Sequence, residues 1–302
     1  MSGISTNRTN ITLPGEISAE IIAKTQEESA VMKLARQITL PGNGLTIPMI
    51  TSDPEANWVA ETDSKPVSNP GLSQKVMKGY KLAVIVPFSD EFARDYKALY
   101  DELVNRLPGA LGKKFDATVF HGTTPGTGFD VLTNCTAQSI DVNASGEGGF
   151  YKALVAADVD IAAHDGDING FAMSPQARGE MLSALDSDGR PLFINNVAEG
   201  AIPRLIGQPV EYSRGLYDAG NAATSGQAAK ADVIGFAGDW TKALYGTVEG
   251  VKIDISNQAT LTIGTGQVNL WQHNMFAVKA EIEVGFVAVT DCFNKIVRTH
   301  KA

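Results

Sequence analysis

Four histidines, two cysteines and a glycine-rich turn are the places where this sequence could do chemistry, and their spacing decides of what kind. His121, His164, His273 and His300 stand far apart and form neither HxxxH nor HExxH. A metal site would therefore have to be assembled by the fold from distant segments. His164 directly precedes Asp165, but neighbours in sequence do not face each other as a catalytic pair must. No serine sits in a GxSxG elbow, and no GxGxxG follows a strand, so the usual hydrolase and dinucleotide signatures are missing. The stretch HGTTPGTGFD (His121 to Asp130) has the glycines of a phosphate loop without its Gly-Lys-Ser/Thr ending. Asp186-Ser187-Asp188-Gly189 opens like a calcium loop, but position twelve is Val197 instead of glutamate, and Pro191 interrupts it. Cys135 and Cys292 share no redox or metal spacing and read as two free thiols. The enzymatic reading that survives is a β-rich hydrolase with a histidine site built by the fold. A monomeric binding module is the other class to weigh.

Stepping from chemistry to composition, 302 residues with 43% hydrophobic and 20% charged side chains suit a folded protein with room for two lobes. The 30 glycines and 13 prolines are dispersed, which favours short strands and many turns over a helical bundle. The longest apolar runs, such as Leu82 to Val86, fall far short of the roughly 20 residues a membrane helix needs. The first eighteen residues, MSGISTNRTNITLPGEIS, carry no apolar core of a secretory signal. A net charge of −9 argues against a dedicated nucleic-acid binder. It does not argue against a surface that confines nucleic acid, since confinement needs no attraction.

Along the chain, the most telling stretch runs from Trp58 to Gly122, in two unlike halves. Residues 51–80 are polar and punctuated by Pro54, Pro66, Pro70, Gly71 and Gly79. They read as a long arm in which Asn57–Glu61 pairs with Ser73–Met77 as a ribbon, and a loop of such length is disordered or functional. LTIPMI (Leu45 to Ile50) reads as a brief edge strand leading into it. KLAVIVPF then reads as a strand buried on both faces, followed by Ser89 as an N-cap with Asp90 and Glu91 in the first turn. Phe92, Tyr96, Leu99, Tyr100, Leu103, Val104, Leu107, Leu111, Phe115 and Val119 recur at helical spacing. Together they predict one long helix, kinked or divided at Pro108-Gly109. Upstream, Ile17, Ile21, Ile22, Val31, Leu34 and Ile38 suggest one or two short helices. Downstream, Tyr151–Ala163 is predicted helical with Leu154, Val155 and Val159 inward. PQARGEMLSAL is predicted to begin at Pro175 behind a Ser174 cap, and residues 223–232 read as a surface loop. DVIGFAGDW and GVKIDIS read as strands. Ala277, Lys279, Glu281 and Glu283 alternate with Phe276, Val278, Ala280, Ile282 and Val284, which predicts a long half-buried strand returning to the lobe of the long helix.

The order of these features resembles the major capsid proteins of tailed bacteriophages, the family with the HK97-type fold. Trp58-Val59-Ala60-Glu61, Lys65-Pro66 and Ser68 resemble the family's extended E-loop. Lys81-Leu82-Ala83, Pro87-Phe88-Ser89 and Glu91 resemble the strand and helix start behind it, and Asp116, His121-Gly122 and Thr124-Pro125-Gly126 the end of the spine helix. Met173-Ser174-Pro175, Leu185-Asp186, Asp188 to Leu192, Leu205 to Val210, Gly238-Asp239-Trp240, Ala277 to Ala280 and Asp291-Cys292-Phe293 continue the match over about 250 residues. The resemblance implies an α+β fold with four parts. They are an N-terminal arm (1–30), a P-domain (31–50, 81–130 and 273–302), an E-loop (51–80) and an A-domain (131–272). It implies inter-subunit contacts through Trp58, Glu61, Lys65 and Pro66, and a spine helix packed through Leu99, Leu103, Leu107 and Leu111. It further implies no catalysis, cofactor or metal, but self-assembly through hexamers and pentamers into an icosahedral virion shell around double-stranded DNA. Assembly would take place in the bacterial cytoplasm, away from membranes, with scaffold, portal and decoration proteins as partners. The short N-terminal arm points to a separate scaffold or none. Lys65 and Asn294 would be the conceivable pair for a covalent crosslink. An encapsulin-type shell around protein cargo shares the fold and is the nearer alternative.

Overall fold

The computed structural model describes residues 29–52, 54–60, 64–69, 71–142, 149–184, 192–193, 204–223, 226, 228–248, 250–263 and 266–300. The chain opens with helix α1 (Ala30–Leu34) and strands β1 (Arg36–Thr39), β2 (Leu45–Ser52), β3 (Gly71–Met77) and β4 (Tyr80–Ser89). Three successive helices follow, α2 (Asp90–Asp95), α3 (Lys97–Asn105) and α4 (Leu107–His121). Next come β5 (Thr136–Ser139), α5 (Phe150–Ala162), β6 (Gly170–Met173), α6 (Pro175–Ser183), β7 (Arg204–Leu205) and β8 (Gln208–Tyr212). Strands β9 (Asp232–Gly238), β10 (Ala243–Thr247), β11 (Lys252–Ser256), β12 (Thr260–Ile263), β13 (Gly266–Asn269), β14 (Met275–Ala288) and β15 (Phe293–Arg298) complete it.

Two sheets carry the molecule. In the five-stranded one, β14 is central: β4 pairs antiparallel along one edge, from Met275↔Ser89 to Val284↔Tyr80, while β10 and β11 share the other. In the six-stranded one the order is β5-β15-β9-β6-β8-β7, and β6 and β9 are buried along their whole length. The turn Thr290–Cys292 joins β14 to β15 and so passes the chain from one sheet to the other. Sheet membership departs from the segment boundary expected at 272/273. Strands β10 and β11 join β14 in the first sheet, and β15 lies in the second. Antiparallel partners are chosen by side-chain fit across the sheet, not by order along the chain.

The alternation in the C-terminal segment is realised in β14 from residue 278 to 284, with Val278, Ala280, Ile282 and Val284 buried and Lys279, Glu281 and Glu283 at intermediate exposure, but Ala277, expected on the outer face, is buried beside Phe276. Strand β4 differs from expectation. It pairs only with β14, and residues 80–86 alternate, with Leu82, Val84 and Val86 against the core and Ile85 49% exposed. An unbroken apolar run is consistent with either arrangement, because period alone does not report what covers the second face.

The long helix is three helices. Tyr96, at φ −126° and ψ 45°, ends α2, and Arg106 separates α3 from α4. The division thus falls two residues before Pro108, which occupies the first turn of α4, where a missing N–H costs nothing. Leu107, Leu111, Phe115 and Val119 form the buried stripe of α4, whereas Leu103 is exposed and Leu99 lies in α3. Helix α5 is also turned from expectation. Leu154 faces inward with Ala153, Ala157 and Ile161, but Val155 and Val159 face out. Alanines serve as well as valines against a close-packed sheet, so the bulkier stripe was the wrong guide. Ser174 caps α6 as expected, accepting from the Ala177 amide at 3.2 Å.

Two buried carboxylates tie distant segments together. Asp116, on α4, accepts from Ser29 Oγ at 2.6 Å and from the Ala30 and Val31 amides at 2.9 and 3.3 Å, holding the start of α1. Burial pushes its pKa up, opposed by donors from Ser213, Ser29, Ala30 and Val31. Asp232, at the head of β9, is fully buried and accepts from His300 Nδ1 (2.7 Å), the Gly220 amide (2.8 Å), Arg298 Nε (3.0 Å) and Tyr217 Oη (3.2 Å). Burial alone would raise its pKa, but the donors outweigh it and hold the group below the ordinary carboxylate range. A depressed folded-state pKa contributes stability that is present above the unfolded value, about 3.9, and lost as pH falls through the folded one. Urea midpoints measured from pH 7 down to pH 3 should therefore fall less steeply for Asp232→Asn than for the wild type. Equal slopes would show that this carboxylate does not contribute to acid lability.

Candidate functional site

Among the described residues the four histidines are not brought together. His121, His164 and His273 each bond a different backbone carbonyl, those of Gly215, Asp160 and Asn269 at 2.8–2.9 Å, and His300 bonds Asp232. Among the described residues no three His, Cys, Asp or Glu side chains could hold a metal ion. Both cysteines are buried, and burial pushes the Cys135 thiol up to about 12, where it is inert at neutral pH. The calcium-like turn at 186–189 and Glu61 lie outside the described residues. Among the described residues no helix is long and apolar enough to cross a membrane.

What the fold does present is a projecting ribbon with a fixed root. Strand β2 pairs with β3 from Leu45↔Met77 to Ser52↔Gly71. The expected partner of Ser73–Met77 was Asn57–Glu61, and this is corrected: residues 57–60 form no strand and lie in the tip. LTIPMI out-competes that segment because it offers β-branched and apolar residues along the register, where the tip offers few. At the root, Leu45, Ile47, Met77, Leu40 and Val287 form a small apolar cluster. Lys75 Nζ reaches Asp130 Oδ2 and the Ala288 carbonyl, both at 2.7 Å, and the same carboxylate oxygen accepts the Ala288 amide at 3.1 Å. Gly128 (φ +82°) lies so close that a Cβ would stand 2.7 Å from the Val76 carbonyl oxygen. The glycines of the loop after α4 are thus packing residues, not phosphate ligands. Sequence reasoning missed Lys75 and Asp130. The only hint was that the glycine-rich loop needed some close neighbour.

The tip is the opposite of the root. Glu55 donates its amide to Ser68 Oγ at 2.8 Å across the two sides. Trp58 is as exposed as in an extended chain (105%), Val67 is 87% exposed, and Lys65 and Pro66 are open to solvent. Val59, next to Trp58 in sequence, is 37% exposed, so the described apolar residues of the tip stand largely in solvent. Of the proposed site residues, then, Trp58, Lys65 and Pro66 share the tip, while Leu107 and Leu111 are core. Asn294 cannot pair with Lys65: it is fully buried, and its side-chain amide donates to Asp160 Oδ2 at 2.9 Å.

Lys75→Met removes the root ion pair while leaving the ribbon register intact. Its effect on global stability is expected to be below about 1 kcal/mol, since the pair is partly exposed. Amide exchange across β2 and β3 should nonetheless accelerate, as read by mass spectrometry. Unchanged exchange there would mean that the apolar cluster alone fixes the root.

Comparison with known proteins meets this geometry. A probable major capsid protein of Mycobacterium phage D29 is 27% identical over 282 residues, covering 91% of this chain and 86% of that one. The major capsid protein of Staphylococcus phage 80alpha is 24% identical over 301 residues, covering 96% and 86%. Among solved structures, one from Mycobacterium phage Ogopogo superposes with a TM-score of 0.73 at 17% identity, covering 90% of this chain and 92% of that one. The common fold is of HK97 type, with helices and strands mixed as here. The model of the phage capsid family matches residues 9–292, nearly the whole length, and so the chain with this rooted ribbon and exposed tip belongs to the phage capsid family.

Proposed function

We propose that this chain is a major capsid protein that assembles through hexamers and pentamers into an icosahedral head enclosing double-stranded DNA. The five-stranded sheet with α2–α4 serves as the P-domain, the six-stranded sheet with α5 and α6 as the A-domain, and the β2–β3 ribbon as an E-loop lying on a neighbouring subunit. The observation that carries this reading is the contrast within the ribbon. Its root is fixed by an ion pair and an apolar cluster, yet its tip exposes Trp58. Such a tip gains nothing in a monomer, whereas in a lattice each copy buries it once, and weak contacts repeated over many copies sum to a stable particle. The acidic balance is that of ordinary solubility, and enclosure of nucleic acid needs no attraction. Scaffold, portal and decoration proteins are the partners of such a head, assembled in the bacterial cytoplasm and carried in the virion. The role is structural, with no catalytic step. Size-exclusion chromatography with negative-stain microscopy of the expressed chain tests it. Rings or closed shells are expected, and a stable monomer under assembly conditions contradicts it.

A further inference from the structure

Ser89 and Asp90 lie where β4 passes into α2, at 2% and 8% exposure. Among the described residues neither carboxylate oxygen of Asp90 has a hydrogen-bond partner, nor does Ser89 Oγ. Ser89 holds the N-cap position but does not cap. The other buried carboxylates described are treated quite differently: Asp116 and Asp232 are ringed by donors, and Asp239 accepts from Asn169 and Thr241. An ionised carboxylate without water or donors is costly, and the neutral acid much less so.

The charges around it do not help. On α2, Glu91 has the same sign, and Arg94 is taken up by Asp95 at 2.7 Å. Helix α3 brings Tyr100 and Asp101. Strand β4 contributes Lys81, eight residues before Ser89, and on β14 Lys279 is held by Asp254 and Glu281. Burial first, and Glu91 second, raise the pKa of Asp90 to about 6.

Helices α2 and α3 are held on the core chiefly by Phe92 and Tyr100 against Phe88, and by Tyr100 against Phe276. Asp90 is the one buried residue of α2, Tyr96 is 62% exposed and Leu103 is exposed. Breaks at Tyr96 and Arg106 bound the pieces. We infer that α2 and α3 move between a docked state that encloses Asp90 as the neutral acid and an undocked state that hydrates it as the carboxylate. Because the docked-state pKa is raised, docking is fully favoured below the unfolded value near 3.9, weakens as pH rises, and has lost this contribution above about 6. With those two values, the ratio of undocked to docked chain rises roughly tenfold from about pH 5 to about 7.5.

Hydrogen exchange of peptides covering residues 90–105, corrected for intrinsic rates, tests this on the full chain. In the wild type, protection should fall about tenfold between those two pH values, while α4 stays constant. Asp90→Asn should be equally protected at both. Glu91→Gln should keep the slope and move its midpoint to lower pH, which a purely structural role would not do. Wild-type protection that ignores pH, or an Asp90→Asn chain with the wild-type slope, overturns the inference. If Asp90→Asn fails to fold, an unmoved midpoint in Glu91→Gln overturns it alone.

Discussion

Replacing residues 54–69 by a four-residue turn centred on Asn-Gly is expected to leave the chain folded and to abolish shell assembly. The two outcomes separate because the tip and the root depend on different contacts. Strands β2 and β3 pair below the deleted residues, and the Lys75–Asp130 pair and the Met77 cluster remain. Asn-Gly supplies the positive φ values that a tight two-residue hairpin needs. The described tip residues bury almost nothing within the chain, so the cost to folding is small. The cost to assembly is large. A tryptophan taken out of water removes about 150–250 Å² of surface, or about 4–6 kcal/mol at about 25 cal/mol per Å², and a shell forfeits it at every copy. Circular dichroism and thermal melting should match the parent, and negative-stain microscopy should show no closed particles. Normal shells from this chain would refute the role given to the tip.

The second large effect lies in the core. Phe120 is fully buried at the end of α4, with its ring 4.9 Å from Phe236 on β9 and 6.3 Å from Trp240, which in turn meets Phe293 at 5.2 Å. It therefore packs the helix of one sheet against the other sheet. Phe120→Ala is expected to cost about 3–5 kcal/mol, the transfer term plus the cavity, a large share of the roughly 5–15 kcal/mol that holds a domain folded. Denaturant midpoints of the unassembled chain should fall accordingly, and Phe120→Leu should recover most of the loss. A change below about 1 kcal/mol would mean that the two sheets are held together elsewhere.

These two sites also show where sequence reasoning succeeds. The stripe Leu107, Leu111, Phe115 and Val119 was readable because an amphipathic helix encodes its own buried face in its period. The alternation of β14 was readable for the same reason, at period two. Apart from the breaks at Tyr96 and Arg106, the failures were questions about a partner. Whether β4 is covered on its second face, whether Ser73–Met77 pairs with residues 45–52 or 57–61, and whether Val155 or Ala157 faces the sheet depend on what lies opposite. Lys75 and Asp130 are 55 residues apart, and neither carries a local sign of the other. Trp58 was singled out from the family resemblance, but only the structure shows that none of the described residues covers it.

The passage of the chain from β14 to β15 bears on when this protein can first exist. Strand β14 supplies both inner edges of the five-stranded sheet, and β15 lies between β5 and β9 in the other. Both are last among the strands to leave the ribosome. Until residue 275 has been made, β4, β10 and β11 have no common partner, and until residue 298 has been made β5 has none at all. The ribbon's strands are made by residue 77, but its root waits for Asp130, Val287 and Ala288, and an isolated hairpin is at best marginally stable. Placing the central strands late makes both sheets and the root of the ribbon depend on completion of the chain.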